Sequence, residues 1–174
     1  MTDPPDQYRI ERLAETHNRT SFKSGVEPLD RYLQSQASQD VRRRIATCFV
    51  AVPPESQTVC GFYTIAATSV PLGEIAAETV KKLPRYALIP AVRIGRLAVD
   101  MAHRGRGLGI SLLVDSMKRA LRADIMAFAL VVDAKDDVAA KFYLHHGFIA
   151  FMSQPLSFYL PLADAAKQYS SAKE

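Results

Sequence analysis

His103-Arg104-Gly105-Arg106-Gly107-Leu108-Gly109 carries three of the eight glycines of this 174-residue chain. Before it runs an apolar stretch ending Gly95-Arg96-Leu97-Ala98-Val99-Asp100. After it comes a segment, 107–123, in which Leu113, Met117, Ala120 and Leu121 recur at helical spacing. The pattern reads as strand, glycine-rich turn, helix. Glycine lets the backbone turn tightly and lets a ligand reach N–H groups that a Cβ would shield. The first turn of a helix presents unpaired N–H donors and a partial positive charge, which suits a pyrophosphate, and Arg104 and Arg106 add cations at the same place. A flexible strand-to-helix connection is the other use of such glycines. A Walker loop is excluded, because Gly109 is followed by Ile110-Ser111 rather than by Lys and Ser/Thr. A dinucleotide fingerprint also fails, because Ile110 and Leu112 stand where its third glycine belongs in either frame. What fits is Arg-x-x-Gly-x-Gly, from Arg104 to Gly109.

Outward from this turn, the spacing predicts a mixed α/β or α+β single domain over 1–174, with 1–7 a frayed tail and 162–174 a C-terminal helix or tail. Ala91–Val99 reads as the strand before the turn, and Ala127–Val132, continuously apolar, as a strand buried on both faces. Asp136 or Asp137 caps a following helix that carries Val138, Phe142 and Leu144, and Gly147 ends it in a left-handed conformation beside Phe148. Two short strands come next, 148–152 and 156–160. Upstream, Tyr8–Leu13 alternates as a short strand. Pro28 opens an amphipathic helix with Leu29, Leu33, Ala37 and Val41 on one face. Arg42-Arg43-Arg44 end that helix, either complementing its dipole or contacting phosphate. Ile45–Val52 and Thr58–Val70 resemble a long hairpin, Glu74–Lys82 a short helix, and Leu83–Pro90 a loop bounded by prolines.

Composition narrows the class further. With 48% hydrophobic and 23% charged residues the chain is globular, not disordered. No apolar run reaches a membrane span, and the start MTDPPDQYRIER has no signal-peptide core, so a cytoplasmic protein is expected. Two cysteines make no disulfide framework, and no Cys/His cluster offers a metal site. The net charge of +4 is unevenly placed. Residues 81–122 hold ten basic side chains against Asp100 and Asp115, a window of +8 that leaves −4 for the rest. Such a segment fits a polyanionic partner, or a solvated basic helix face.

The Arg104–Gly109 turn, with the strand before it, resembles the GNAT acetyltransferase superfamily. A second stretch, Asp136-x-x-Ala139-x-x-Phe142-Tyr143-x-x-x-Gly147-Phe148, is similar to the family's later motif, with Asp136 where Asn is usual. The resemblance implies a splayed, mostly antiparallel mixed sheet flanked by helices, with acetyl-CoA as donor between parallel strands 91–99 and 127–132. It assigns the acetyl and pantetheine part to the Leu97-Ala98-Val99 backbone and the pyrophosphate to Arg104, Gly105, Arg106, Gly107, Leu108 and Gly109. Asp136 joins them on the cofactor side. Tyr143 matches the family's general acid, facing the CoA sulfur; a phenol with an ordinary pKa near ~10 is protonated at neutral pH. No single residue stands out as general base among His145, His146, Glu74 and Asp100. No metal is implied.

Further segments resemble one subgroup, the GNAT toxins of bacterial toxin–antitoxin pairs. They are Thr16-His17-Asn18-Arg19 with Phe22, Leu29-Asp30-Arg31-Tyr32-Leu33, Gly61-Phe62-Tyr63-Thr64, Leu83-Pro84-Arg85-Tyr86, Gly95-Arg96-Leu97-Ala98-Val99-Asp100, Val132-Asp133-Ala134 and Gln154-Pro155-Leu156. This implies acetylation of the α-amino group of aminoacyl-tRNA, which stalls translation. It also implies a homodimer neutralised by a ribbon–helix–helix antitoxin, whose complex binds operator DNA. Arg85, Arg93 and Arg96 are the candidates for contacting the tRNA acceptor end. The alternatives are a GNAT enzyme acting on a small-molecule amine or a protein N-terminus, and a non-catalytic binding module.

Overall fold

The computed structural model describes residues 7–171; residues 1–6 of the expected frayed tail, and 172–174, lie outside the described residues. Strands β1 (Arg9–Arg12), β2 (Thr47–Val52), β3 (Gly61–Pro71), β4 (Leu88–Val99), β5 (Ala129–Asp133), β6 (Ile149–Ala150) and β7 (Ser157–Pro161) form one sheet, in the order β1-β2-β3-β4-β5-β7-β6. The β1/β2, β2/β3, β5/β7 and β6/β7 pairs are antiparallel, while β4/β5 is parallel with Ala91–Ile94 opposite Ala129–Val132. This is the mixed, mostly antiparallel sheet expected. The helices are α1 (Glu27–Arg31), α2 (Ala37–Arg42), α3 (Ala77–Val80), α4 (Leu108–Arg122), α5 (Asp137–His145) and α6 (Leu162–Ser171). Among the described residues no helix is long and apolar enough to cross a membrane.

The chain divides into two compact units, each with its own core. The first takes residues up to Ala66 with Gly95–Ser116. On one face of β2 and β3, Cys48, Val50 and Phe62 pack with Phe22, Tyr32, Leu33 and Ala98; on the other, Phe49, Ala51 and Tyr63 pack with Leu108 and Leu112. That alternation is the period-two pattern of strands buried on both sides. The second unit takes Ala67–Ile94 and the residues from Met117 onward, and its core joins Ala91, Ala129, Val131 and Tyr159 to Val70, Ile75 and Phe151.

Several expectations are corrected. The helix from Pro28 is interrupted by a π turn at Tyr32–Gln36, and α2 resumes at Ala37 and ends within two turns. Leu33 and Ala37 stay buried, but Val41 is exposed. Strand β2 begins at Thr47 instead of Ile45, because Arg44 turns left-handed first. Glu74–Lys82 is not one helix: a 3-10 turn at Leu72–Glu74 precedes the single turn of α3. Strand β4 starts at Leu88, inside the expected loop. On α5 the buried positions are Ala140 and Tyr143; Val138, on the far side of the helix from Ala140, and Leu144 in the last turn are exposed. Leu121 of α4 is exposed as well, whereas Leu113, Met117 and Ala120 are buried.

Candidate functional site

In the first unit the glycine-rich turn takes the conformation that its residues predict. Gly105 and Gly107 have φ of +74° and +78°, and a Cβ at either would meet nothing within 4 Å. Their lack of a side chain therefore serves the backbone turn and leaves open space above it. The Gly107 carbonyl accepts from the Ser111 N–H at 3.0 Å, which begins the α4 ladder; the amides at the helix start have no helical carbonyl to reach. Helix α4 lies close on β3 because residue 61 is glycine: a Cβ there would stand 3.1 Å from both Leu108 Cδ2 and Leu112 Cδ1. Tyr63 Oη donates to Asp115 Oδ2 at 2.6 Å and ties the same helix to the same strand.

The approach to the turn is anchored on Lys23, Ser24 and Gly25, which no motif marks. The Met101 N–H donates to the Lys23 carbonyl at 2.8 Å, and Asp100 accepts from the Lys23 N–H and the Ala102 N–H, each at 2.9 Å. Asp100 is thus a capping carboxylate, not a poised base. The Arg104 guanidinium donates to the Ser24 carbonyl, and Gly25 at φ +89° makes room for it. Ser24 is in turn held by Asp30 Oδ1, which accepts its N–H at 2.9 Å and its hydroxyl at 2.5 Å. The sequence signal for this anchor is the Ser24-Gly25 turn pair. Tyr8 Oη and His103 Nδ1 are 2.8 Å apart.

Leu97, Ala98 and Val99 lead into the turn from β4. Leu97 and Val99 pack towards the α4 side with Leu108 and Leu112, while Ala98 joins Phe62 and Tyr32 on the opposite face. Arg96 lies over the Tyr32 ring, its guanidinium carbon 3.6 Å from the centroid. Burial, then the hydrogen bond from Tyr32 Oη to Asp40 Oδ2 (2.8 Å), push that phenol far above its ordinary pKa. It is a neutral, fixed platform for a cation. Thr64 Oγ1, 3.1 Å from where a Cβ on Gly95 would stand, is buried with no hydrogen-bond partner among the described residues.

The second unit holds Tyr143, Asp136, Arg93 and Arg85. Tyr143 is 7% exposed, packed against Phe148, Phe142 and Phe158 with ring centroids at 5.4, 5.3 and 6.3 Å. Its hydroxyl has no hydrogen bond among the described residues, and burial pushes its pKa up to about 12. A protonated phenol with a free O–H is a donor in waiting. Asp136 Oδ1 caps α5 by accepting the Ala139 N–H at 2.8 Å, so the substitution of Asp for Asn keeps the capping function. Gly147 ends the helix at φ +90°, as expected. Arg93 is paired with Asp133 at 2.5 Å, on the surface. Arg85 is exposed. Glu74 is committed to Ser153, whose hydrogen bonds hold its pKa low. His145 is exposed, and His146 has its pKa lowered by burial and by His145 beside it. Cys48 and Cys60 are buried thiols pushed up to about 12, too high for a nucleophile. No group of three or more metal-ligating side chains occurs among the described residues.

Residues 44–150 match the family model described as an acetyltransferase (GNAT) domain. A curated relative, the tRNA-acetylating toxin of Mycobacterium tuberculosis, is 34% identical over 156 residues, covering 88% of this chain and 92% of the relative. Among solved structures, a tyrosine-to-phenylalanine mutant of KacT superposes with a TM-score of 0.84 at 26% identity, over 93% of this chain and 99% of that one. AtaT complexed with acetyl-methionyl-tRNAfMet gives 0.84 at 24% identity and the same coverage. A tyrosine-to-phenylalanine AtaT bound to the C-terminus of the antitoxin AtaR and acetyl-CoA gives 0.76 at 23%, over 94% and 99%. With the strand–turn–helix and the α5 cap in place, these matches make the chain a member of the GNAT acetyltransferase family.

Proposed function

We propose that this protein transfers the acetyl group of acetyl-CoA to the α-amino group of aminoacyl-tRNA and is the toxin of a toxin–antitoxin pair. The likeness to a tRNA-acetylating toxin along nearly the whole of both chains carries the reading. The residues fit its chemistry. The open turn at Arg104, Gly105, Arg106, Gly107, Leu108 and Gly109 would take the CoA pyrophosphate, and the Leu97-Ala98-Val99 backbone the acetyl and pantetheine end. As the amine nitrogen bonds to the acetyl carbon and the C–S bond breaks, the Tyr143 hydroxyl gives its proton to the departing thiolate, and the proton shed by the nitrogen as it becomes an amide passes through water to restore the phenol. The attacking amine must be neutral. An aminoacyl ester amine has a low pKa, so no carboxylate base is required, and Glu74 and Asp100 are occupied in any case. His146 is the base candidate that burial keeps neutral.

The same reading brings its partners: a second copy in a homodimer, and a ribbon–helix–helix antitoxin, with operator DNA bound by the complex. AtaT with the AtaR C-terminus is the solved parallel. The site of action is the cytoplasm, where charged tRNA is used. The test is incubation with labelled acetyl-CoA and either charged or uncharged tRNA. Label on charged tRNA alone supports the proposal. Label on small amines or protein N-termini, with none on tRNA, replaces it with the broader acetyltransferase reading.

A further inference from the structure

Arg42, Arg43 and Arg44 have no place in the chemistry above. Arg42 closes α2 and Arg43 caps it, while Arg44 has φ +59°, alone among the described non-glycine residues in having a positive φ. The Arg44 N–H donates to the Val41 carbonyl at 3.1 Å and the Ile45 N–H to the Asp40 carbonyl at 2.9 Å. These are the two bonds of a Schellman close, whose left-handed residue is ordinarily glycine because a Cβ is strained there. Here the position holds an arginine. All three arginines are exposed, and no guanidinium among them forms a hydrogen bond or ion pair with the described residues. One cation in the last turn satisfies a helix dipole. Three adjacent ones repel each other, and that repulsion is relieved by a ligand with closely spaced negative charges.

The platform beneath them is fixed. Arg19 Nη1 donates to the Leu33 carbonyl (3.0 Å) and to Ser38 Oγ (2.9 Å), and Tyr32 Oη donates to Asp40 across two turns, so the helical run is tied to the segment before it and braced along its own length. Arg96 stacks on Tyr32 near its start. The rise from Tyr32 to Arg43 puts roughly 16 Å between these positively charged points along one rigid element. We propose that the Arg42-Arg43-Arg44 turn docks the phosphate backbone of the tRNA substrate, with Arg44 kept against backbone strain for that purpose. The proposal rests on the aminoacyl-tRNA reading.

Two variants test it. The first replaces Arg42, Arg43 and Arg44 together by Gln; the second is Arg44→Gly. Affinity for uncharged tRNA is measured from 50 to 200 mM salt, alongside kcat and KM on aminoacyl-tRNA, Tm, and antitoxin affinity. Three lost phosphate contacts should shrink the salt-driven fall in tRNA affinity by about 20- to 40-fold, and raise KM with kcat unchanged. Arg44→Gly should raise Tm by about 2–4 °C yet raise KM, which a residue serving only to end the helix would not do. Unchanged salt dependence and KM overturn the proposal, as does a loss of antitoxin affinity with tRNA binding intact. Wild-type protein that leaves aminoacyl-tRNA unlabelled defeats the underlying reading before any variant is made, and this proposal with it.

Discussion

Replacing Tyr143 by Phe separates catalysis from packing more cleanly than any other change in this protein. The ring contacts to Phe142, Phe148 and Phe158 survive, and the hydroxyl gives up no hydrogen bond within the described residues. Stability at neutral pH should therefore move by no more than about 0.5 kcal/mol. The rate should not be spared. A positioned general acid contributes roughly 10²–10⁴-fold, or about 2.7–5.4 kcal/mol in the barrier, and the loss should fall on kcat with little change in KM for acetyl-CoA. The assay is initial-rate acetyl transfer with thiol release, from pH 6 to 11. Burial raises the phenol to about 12, so the wild type should show no Tyr143-dependent alkaline limb below about pH 11. The same shift marks stability. Between pH 10 and 12 the unfolded chain gives up this proton while the folded one keeps it. Wild-type stability should therefore fall with rising pH across that window, by roughly 2–3 kcal/mol, and Tyr143→Phe should lack that part of the fall. A variant with kcat within about threefold of wild type, at unchanged stability, would refute Tyr143 as the acid.

Gly107→Ala meets no neighbour, so its cost is confined to the backbone at φ +78°, about 1 kcal/mol. Calorimetry should also show acetyl-CoA binding weakened by roughly tenfold or more, and a lowered Tm with unchanged affinity would leave the glycine a turn residue only. Thr64→Val removes a buried hydroxyl that has no partner and keeps the shape, so it should raise Tm by about 2–4 °C; a fall would mean that the hydroxyl is bonded after all. Arg96→Gln removes the cation stacked on Tyr32. It should cost about 0.5–1 kcal/mol of stability while raising KM for aminoacyl-tRNA and sparing kcat, and an unchanged KM would confine Arg96 to packing.

What was legible in the sequence was what is local. Three glycines between an apolar strand and an amphipathic helix define the turn, because strand, turn chemistry and helix period all speak within about thirty residues. The α5 cap at Asp136 and its stop at Gly147 are legible for the same reason. What failed depended on neighbours far along the chain. Nothing around Arg104 points to the Ser24 carbonyl 80 residues away, nor could the sequence tell that Asp100 is consumed by capping and by the Lys23 amide. Periodicity also misplaces Val41: it shares the α2 face with Ala37, yet it lies in the last turn before Arg43 and the left-handed Arg44, and is exposed.

Charge shows why a count along the chain is a weaker guide than a map of commitments. The +8 window at 81–122 is the sequence's case for a polyanion, yet much of it is already engaged. Arg93 is paired with Asp133, Lys118 and Arg119 each have a partner, and Arg104 and Arg106 lie in the turn proposed for the CoA pyrophosphate, while Arg96 is stacked on Tyr32 with its charge intact. The arginine triplet at 42–44 lies outside that window, in the part of the chain whose net charge is −4, and would be discarded by the same arithmetic. Its three cations are nevertheless exposed and unpaired among the described residues, and one is held where glycine is easier. A phosphate backbone responds to cations that have not already been answered, so the docking proposed for the end of α2 adds to Arg96 a surface that the count along the chain passes over.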